Sequence, residues 1–478
     1  MSRKILIFSR TFVLLCALFA LLCFNIDSNA SSTQSPTLSV EVCTKTCLTD
    51  TELQQFATIE EAYSFLKPLG KGIILIHPGF HSVTLKIDSG DWVIRGLDFP
   101  ERTILRPRNR NLGGYSPDRR RYELSVDNII SMFELAGEST LLLENLTLED
   151  DHQPLPAFSE LSRDELESLE VLLSFGIYTK EQSHLSINNV HFIDWATSPL
   201  LNDQEAFIKM NNSRMHCEDF YGAEFLRAGN VEFVENIFEN CHLISVFLFR
   251  DITIPGEVIL IDNVFRNSYI QANTNIMLRG NHFQNFFVAH DGVGISELVP
   301  PRTFPMVNIL SQNDVFIENN LFEVTDRFQR NFLKTLGSEK DIIFLSGVYI
   351  TNGGEKMPLI QNNTFRNLAS GIGVGIFEGQ ASQELSISLT GNTFENTNYG
   401  LAIHAFEGDE PPIVPSVKLL LERNVFKENT LCGLSFLNYD ITKTYFEIFG
   451  MDNVFADNPQ SVCPENLPIP ESFESSSN

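Results

Sequence analysis

Asn263-Val-Phe265-Arg-Asn267, followed at a step of 18 residues by Asn281-His-Phe283-Gln-Asn285, is the stretch on which the fold turns. The same frame recurs at Asn236-Ile-Phe238-Glu-Asn240, Asn363-Thr-Phe365-Arg-Asn367 and Asn392-Thr-Phe394-Glu-Asn396. Looser copies stand at Asn320-Leu-Phe322, Asn424-Val-Phe426 and Asn453-Val-Phe455, and Asn189 and Asn212 open degenerate ones. Successive first asparagines are 23, 24, 27, 18, 39, 43, 29, 32 and 29 residues apart. A step in the twenties with larger excursions describes a solenoid with one coil per repeat and some enlarged loops.

Each Asn follows a short alternating run, such as Val258-Ile-Leu-Ile-Asp262 or Leu385-Ser-Ile-Ser-Leu389. Asn tolerates left-handed backbone better than most residues, so it is predicted to turn one strand sharply into the next. Its amide carries both donors and acceptors and can bond its counterparts one coil above and below. The Phe two residues later points inward and stacks on the next Phe, each burial contributing roughly 1.5–3 kcal/mol. The composition agrees: 39 Phe against 2 Trp and 10 Tyr means that one kind of core position is used repeatedly. A Leu scaffold, Trp or Gly-His blade signatures and heptads are all missing, which excludes leucine-rich repeats, propellers and coiled coils.

The repeat resembles those of right-handed parallel β-helices of the pectate-lyase-like superfamily, including NosD-type proteins, over about residues 55–458. The resemblance implies an all-β, single-stranded right-handed solenoid of about ten or more coils. It implies little about function, since that fold serves lyases, hydrolases, epimerases, adhesins and non-enzymes. At the amino end, Thr58-Ile-Glu-Glu61 reads as a capping box. Ile59, Ala62, Tyr63 and Leu66 then give helical spacing, ended by Pro68 and Gly70, so a short helix is predicted to plug the first coil.

The expected organisation is a signal peptide over 1–30, a linker over 31–50, the β-helix over 51–460 and a disordered tail over 461–478. Enlarged loops are expected near 150–185 and 286–360. The leader reading rests on Arg3, Lys4 and Arg10, the apolar run from Phe12 to Cys23, and the small-x-small site Ser28-Asn29-Ala30. The chain is therefore expected to be secreted, periplasmic or at the cell surface, as a monomer with no membrane span after cleavage. Net charge is −27, and removing a leader with three basic residues and one acidic residue takes it to −29. That charge repels nucleic acid and makes polyuronates awkward ligands unless calcium or a basic patch intervenes. Six cysteines remain after the leader, and proximity pairs Cys43 with Cys47, Cys217 with Cys241 and Cys432 with Cys463. Cys217 and Cys241 each lie five residues after a repeat Asn, which places them at one station on consecutive coils.

A third strand follows each repeat, as in Gly371-Ile-Gly-Val-Gly-Ile-Phe377, Gly400 to Phe406, Gly433 to Tyr439 and Ile244 to Phe249. The resemblance implies that this sheet carries catalytic groups on its outward face. Alternation puts Gly373, Ala402, Ser435 and Ser245 in one outward row, then Gly375, His404, Leu437 and Phe247, then Phe377, Phe406, Tyr439 and Phe249. A lyase needs a base beside positive charge or metal, and a glycosidase needs two carboxyls about 5–9.5 Å apart. These rows offer only His404, while the aromatic row is a candidate sugar-stacking platform or lies under an enlarged loop. Two further clusters are candidates: Arg106, Arg108, Arg119, Arg120 and Arg121 for an anion, or for pairing with nearby acids, and His290-Asp291 with Arg302 as a base with its orienting acid. No metal-ligand spacing stands out and no cofactor is expected, with calcium left unsupported. The reading is non-catalytic binding of carbohydrate or a surface partner through one sheet face. Its rivals are a polysaccharide lyase, hydrolase or epimerase, and an envelope spacer.

Overall fold

The computed structural model describes residues 37–43, 53–108, 129–150, 173–195, 199–202, 205–217, 223–226, 230–246, 256–272, 274–286, 288–289, 302–303, 305–310, 314–335, 345–351, 357–376, 385–405, 416–437 and 445–464. Within them the chain is a right-handed parallel β-helix. One turn shows the plan: Glu257–Ile261, then Val264–Arg266, then Tyr269–Ala272. Each strand pairs in parallel with its equivalent in the next turn, as Val258↔Ile276, Phe265↔Phe283 and Ile270↔Val307 show. First and second strands belong to one continuous 26-stranded sheet bent at the repeat Asn, and third strands form a 13-stranded sheet. We refer to these three strips as the first, second and third sheets.

The amino end forms as its residues dictate. Helix α1 (Ile59–Leu66) starts where the Thr58 side chain accepts from the Glu61 N–H at 3.2 Å, while the Glu61 carboxylate accepts from the Ala57 N–H at 3.2 Å. Its buried face is Ile59, Ala62, Tyr63 and Leu66, and Gly70, at φ 68°, ends the turn that follows. The strand Ser39–Val42 pairs in register with Lys71–Ile76, so the first coil's edge is covered.

The core is a column of phenylalanine rings. Phe238, Phe265, Phe283, Phe322, Phe365, Phe394, Phe426 and Phe455 follow one another at centroid spacings of 4.7–5.0 Å with planes within 8°. The third sheet meets this column with glycines. A Cβ on Gly400 would lie 2.4 Å from the Phe426 ring, and one on Gly371 would lie 2.4 Å from the Phe394 ring. The glycines opening Gly371-Ile and Gly400-Leu are thus required by close approach to the column.

Beside the rings runs the asparagine ladder. Asn236 donates to Asn263 Oδ1 from both its backbone N–H (2.9 Å) and its Nδ2 (3.0 Å). The same pair of bonds repeats at 2.9–3.1 Å through Asn281, Asn320, Asn363, Asn392 and Asn424 to Asn453. The second Nδ2 proton goes to a backbone carbonyl of the preceding coil, for example Asn281 to Leu260 at 2.8 Å. These amides are 0–2% exposed, so every bond stands in place of one to water.

Two details differ from the sequence reading. The left-handed residue at the corner is the one before the ladder Asn: Glu235, Asp262, Asn319 and Asn362 lie at φ 54–57°, and Gly280 and Gly391 at 66°. The ladder Asn is not itself left-handed, and a second left-handed turn falls on the closing residue, as in Asn240, Asn267 and Asn367. In the degenerate copies Asn189 and Asn212 are themselves left-handed, at φ 52° and 49°. The ladder station there is Ser213, whose N–H donates to Asn236 Oδ1 at 2.9 Å and whose hydroxyl accepts from the Val190 N–H at 3.0 Å.

Cys217 and Cys241 are bridged, with Cα atoms 5.2 Å apart. The register is one residue off the equal-station reading, since Met215 faces Phe238 and His216 faces Glu239, which sets Cys217 level with Asn240. The bridge runs on the diagonal. Replacing both with Ser is expected to lower stability by about 3 kcal/mol in the chain-entropy picture, measurable as a reduced midpoint in urea with a steeper slope, since the unfolded chain is less constrained. Cys432 is bridged to Cys463, and Cys43 is also disulfide-bonded, its predicted partner Cys47 lying outside the described residues. The stretch 286–360 contains coil strands at Val307–Leu310, Val315–Glu318, Leu321–Glu323 and Ser346–Thr351, with helix α2 (Arg327–Thr335) between the last two. No helix among the described residues is long and apolar enough to cross a membrane.

Candidate functional site

The third sheet carries the rows that the sequence singles out, and pairing confirms most of the alignment. Gly373, Ala402 and Ser435 are consecutive partners, as are Gly375, His404 and Leu437. Ser245 is misplaced: the row continues from Gly373 through Tyr349, Asn308 and Gln271 to Ile244. The turn from Asn240 to Ile244 is two residues shorter than that from Asn367 to Gly373, a difference that alternation alone does not register. Phe247 and Phe249, with Phe377, Phe406 and Tyr439, lie outside the described residues.

In its carboxyl-terminal coils the described part of this face is closed. Ala402, His404 and Ser435 are 0% exposed and Leu437 is 8% exposed, so both sides of these strands are covered. The aromatic row, for which burial beneath an enlarged loop is the alternative, lies outside the described residues. Further along, the Asn308 amide donates to the Tyr269 hydroxyl at 3.0 Å, 3.3 Å from Gln271 Oε1. Burial pushes the Tyr269 hydroxyl up to about 12, against the pull of the Asn308 hydrogen bond, and pushes Tyr349 up as well. Such groups stay protonated, and the Tyr269 hydroxyl links two adjacent strands of the third sheet.

The arginine cluster resolves into pairs. Arg106 bonds Glu149 at 2.8 Å while stacking on the Phe80 ring at 4.3 Å, and Arg108 bonds Glu60 at 3.1 Å. These two are spent on the protein's own acids; Arg119, Arg120 and Arg121 lie outside the described residues, as do His290 and Asp291. Arg302 is placed by backbone pairing opposite Ala289 in a short antiparallel ladder.

The open constellation is on the second sheet, at the fourth position of the repeat. Parallel pairing lines up Glu239, Arg266, Gln284, Glu323, Arg366, Glu395 and Lys427 in one outward row. Signs alternate on either side of the neutral Gln284, and neighbours of opposite charge pair across the coils. Arg266 reaches Glu239 at 2.8 Å, Arg366 reaches Glu395 at 3.0 Å and Glu323 at 3.8 Å, and Lys427 reaches Glu395 at 3.5 Å. His282, in the adjacent row, places Nε2 2.9 Å from Glu323, and Arg214 caps Glu239 from the other side. Arg106 and Glu149 begin an equivalent row at the amino end of the same sheet.

Parallel strands in register set identical positions side by side, where like charges repel, so alternation is itself a structural requirement. Exposed pairs of this kind add little stability individually, with medians of about 0–1 kcal/mol. What the row presents is a flat strip of planar donors and acceptors. Beside it runs a half-buried, mostly apolar row of Ile237, Val264, His282, Leu321, Thr364, Thr393 and Val425.

The ionisation of the strip is set by its arginines. Burial raises the Glu239 carboxyl, but hydrogen bonds from Arg214 and Arg266 outweigh it and hold the group below the usual carboxylate range. The Arg366 hydrogen bond, working against partial burial and helped by the Arg366 and Lys427 charges, holds Glu395 low as well. A general acid needs the opposite shift. Among the described residues no group of three His, Cys, Asp or Glu is placed to hold a metal. The signal that marks this strip is present in the repeat: its fourth position reads Glu, Arg, Gln, Glu, Arg, Glu, Lys.

The chain matches no protein-family model and no curated protein sequence. Solved structures similar to it include the catalytic domain of Agl-KA, at 11% identity and TM-score 0.43 over 90% of this chain and 69% of that one. The mannuronan C-5 epimerase AlgE4 A-module of Azotobacter vinelandii is similar at 13% identity and TM-score 0.37, over 88% and 95%. A GH87 α-1,3-glucanase catalytic unit from Streptomyces thermodiastaticus is similar at 10% identity and TM-score 0.42, over 88% and 69%. At these values no residue's role passes from those proteins to this chain, and the parallel β-helix is established by its own strand pairing.

Proposed function

We propose that this is an exported, non-catalytic β-helix that binds a neutral polysaccharide along the outer face of the second sheet. The observation that carries the reading is the strip itself: polar planar groups in register on consecutive coils, next to an apolar row. Sugar rings present apolar faces and hydroxyl edges, which match such a pair of rows. Three acids balance three bases between Glu239 and Lys427, so the strip suits an uncharged chain, whereas the overall charge of −27 disfavours a polyanion at neutral pH. Paired, ionised carboxylates favour holding hydroxyls over donating protons. Export is supported by the leader-like residues 1–30 and by the two disulfides.

The test is a panel of neutral and acidic glycans, with and without calcium, read for binding, reducing ends and unsaturated products together. Binding of a neutral glycan is expected, without turnover, and Arg266→Ala with Arg366→Ala should weaken it about tenfold or more, each lost charge-assisted bond being worth roughly 1.5–3 kcal/mol. Turnover of any glycan overturns the non-catalytic reading. Silence throughout leaves a spacer, and loss of binding in Phe377→Ala/Phe406→Ala with the arginine variant unaffected moves the ligand to the third sheet.

A further inference from the structure

The outer face of the first sheet carries an apolar stripe that neither the motif nor the charged strip explains. Its middle position reads Ile259, Met277, Phe316 and Leu359 on successive coils, then the buried Ser388, then Leu420 and Phe449. Leu359 and Phe449 are 46% and 51% exposed, and Met451, the next outward residue after Phe449, is 56% exposed. The stripe begins abruptly, for the two preceding coils hold Lys209 and Glu232 at this position, paired at 2.7 Å. Six coil steps of about 4.8 Å and strands about 16 Å long make a face on the order of 500 Å², rims excluded. An exposed apolar face of that size marks an interaction surface.

The rows flanking the stripe show what fits it. A two-fold axis along the Leu359 strand keeps each row in place and reverses the order of the coils. Leu359 then meets its own copy, Met277 meets Leu420, and Ile259 meets Phe449. In the row on the carboxyl side of the stripe Arg279 meets Glu422, Glu318 meets Thr390 and Gln361 meets itself, while on the other side Asn275 meets Lys418. Among the described residues like charges meet only in the outermost coils, Glu257 with Glu447 and Asp262 with Asp452. Moving the axis to lie between Leu359 and Ser388 would set Glu318 against Glu422, so the charges select the register.

We propose that the mature protein forms a two-fold dimer through this face, a second copy of the chain covering the stripe in antiparallel order. A flat patch that is complementary to itself closes in such a pair and goes no further. Two faces of this size bury about 1,000 Å² or a little more, the low end for a specific interface, so the dimer is weak and depends on concentration. The expectation of a monomer comes from the sequence, where the stripe is scattered at one residue per coil. The second sheet lies beyond the corner before each ladder Asn, so its charged strip stays outside the contact, and the dimer does not rest on the binding reading.

Sedimentation equilibrium of the mature protein, from about 1 to 200 μM, is expected to show monomer and dimer in exchange. Leu359→Lys places two ammonium groups at the axis, and Arg279→Glu opposes Glu422 with a like charge. Each should raise the dissociation constant about tenfold or more. Arg279→Glu combined with Glu422→Arg restores opposite charges and should bring the constant back to within about threefold of wild type. Unfolding midpoints establish that the variants are folded. A monomer at every concentration, a dimer indifferent to Leu359→Lys, or a charge swap that fails to restore pairing overturns the proposal. So does a monomer that loses glycan binding in Leu359→Lys, since the face then belongs to the ligand.

Discussion

Asn320→Ala should lower the stability of the solenoid by about 3–5 kcal/mol, more than its single lost side chain would indicate. Asn320 Oδ1 accepts from both the backbone N–H (2.9 Å) and Nδ2 (3.0 Å) of Asn281, and its own Nδ2 reaches Leu278 O and Asn363 Oδ1 at 3.0 Å. Alanine leaves two donors of Asn281 without an acceptor in a site 1% exposed. Each unsatisfied buried group costs roughly 1–3 kcal/mol. Asn319, next door at φ 56°, separates the two roles of asparagine at this corner. Asn319→Gly should change stability by less than about 1 kcal/mol, and Asn319→Ala should cost roughly 1–2 kcal/mol of left-handed strain. Urea unfolding of the three variants checks the ordering; equal losses in all three would mean that the ladder bonds contribute nothing beyond the turn.

Phe322→Ala is expected to cost about 3–5 kcal/mol, in the range for a fully buried Phe in a core that cannot collapse. Its ring is 0% exposed and lies 4.7 Å from Phe283 and 4.9 Å from Phe365, so removal opens a gap in the column with a ring face on either side. Backbone pairing on both sides holds those rings at the coil spacing and prevents them from closing the gap. Combined with Asn320→Ala, the loss should fall short of the sum, because both disturb the same coil. Fully additive losses would show that ladder and column act as independent supports.

The architecture is legible because both supports are written in side chains that do one thing each. Asn at a fixed station and Phe two residues on leave few alternatives, and Thr58 with Glu61 announces the helix that plugs the first coil. The candidate site is less legible for a geometric reason. The third-sheet rows depend on alternation within mostly apolar strands, and the apolar Ile244, which pairs into the row of Gly373, leaves Ser245 one place off. Exposure is harder still: nothing in Gly400-Leu-Ala-Ile-His404 says that both of its faces are covered. The charged strip was within reach, since Glu239, Arg266 and Arg366 occupy the position inside the motif itself. It is visible only when the coils are stacked and the variable letter is read vertically.

The ladder has a direction. Every amide proton that it shares between asparagines is given toward the carboxyl-terminal neighbour, from Asn236 to Asn263 and onward to Asn453. A chain emerging from its amino end therefore presents, at each stage, a newest coil whose donors await an acceptor not yet made. The closing asparagines bond in the opposite sense, Asn267 to Asn240 and Asn396 to Asn367, so the two asparagine rows together tie each coil to both of its neighbours.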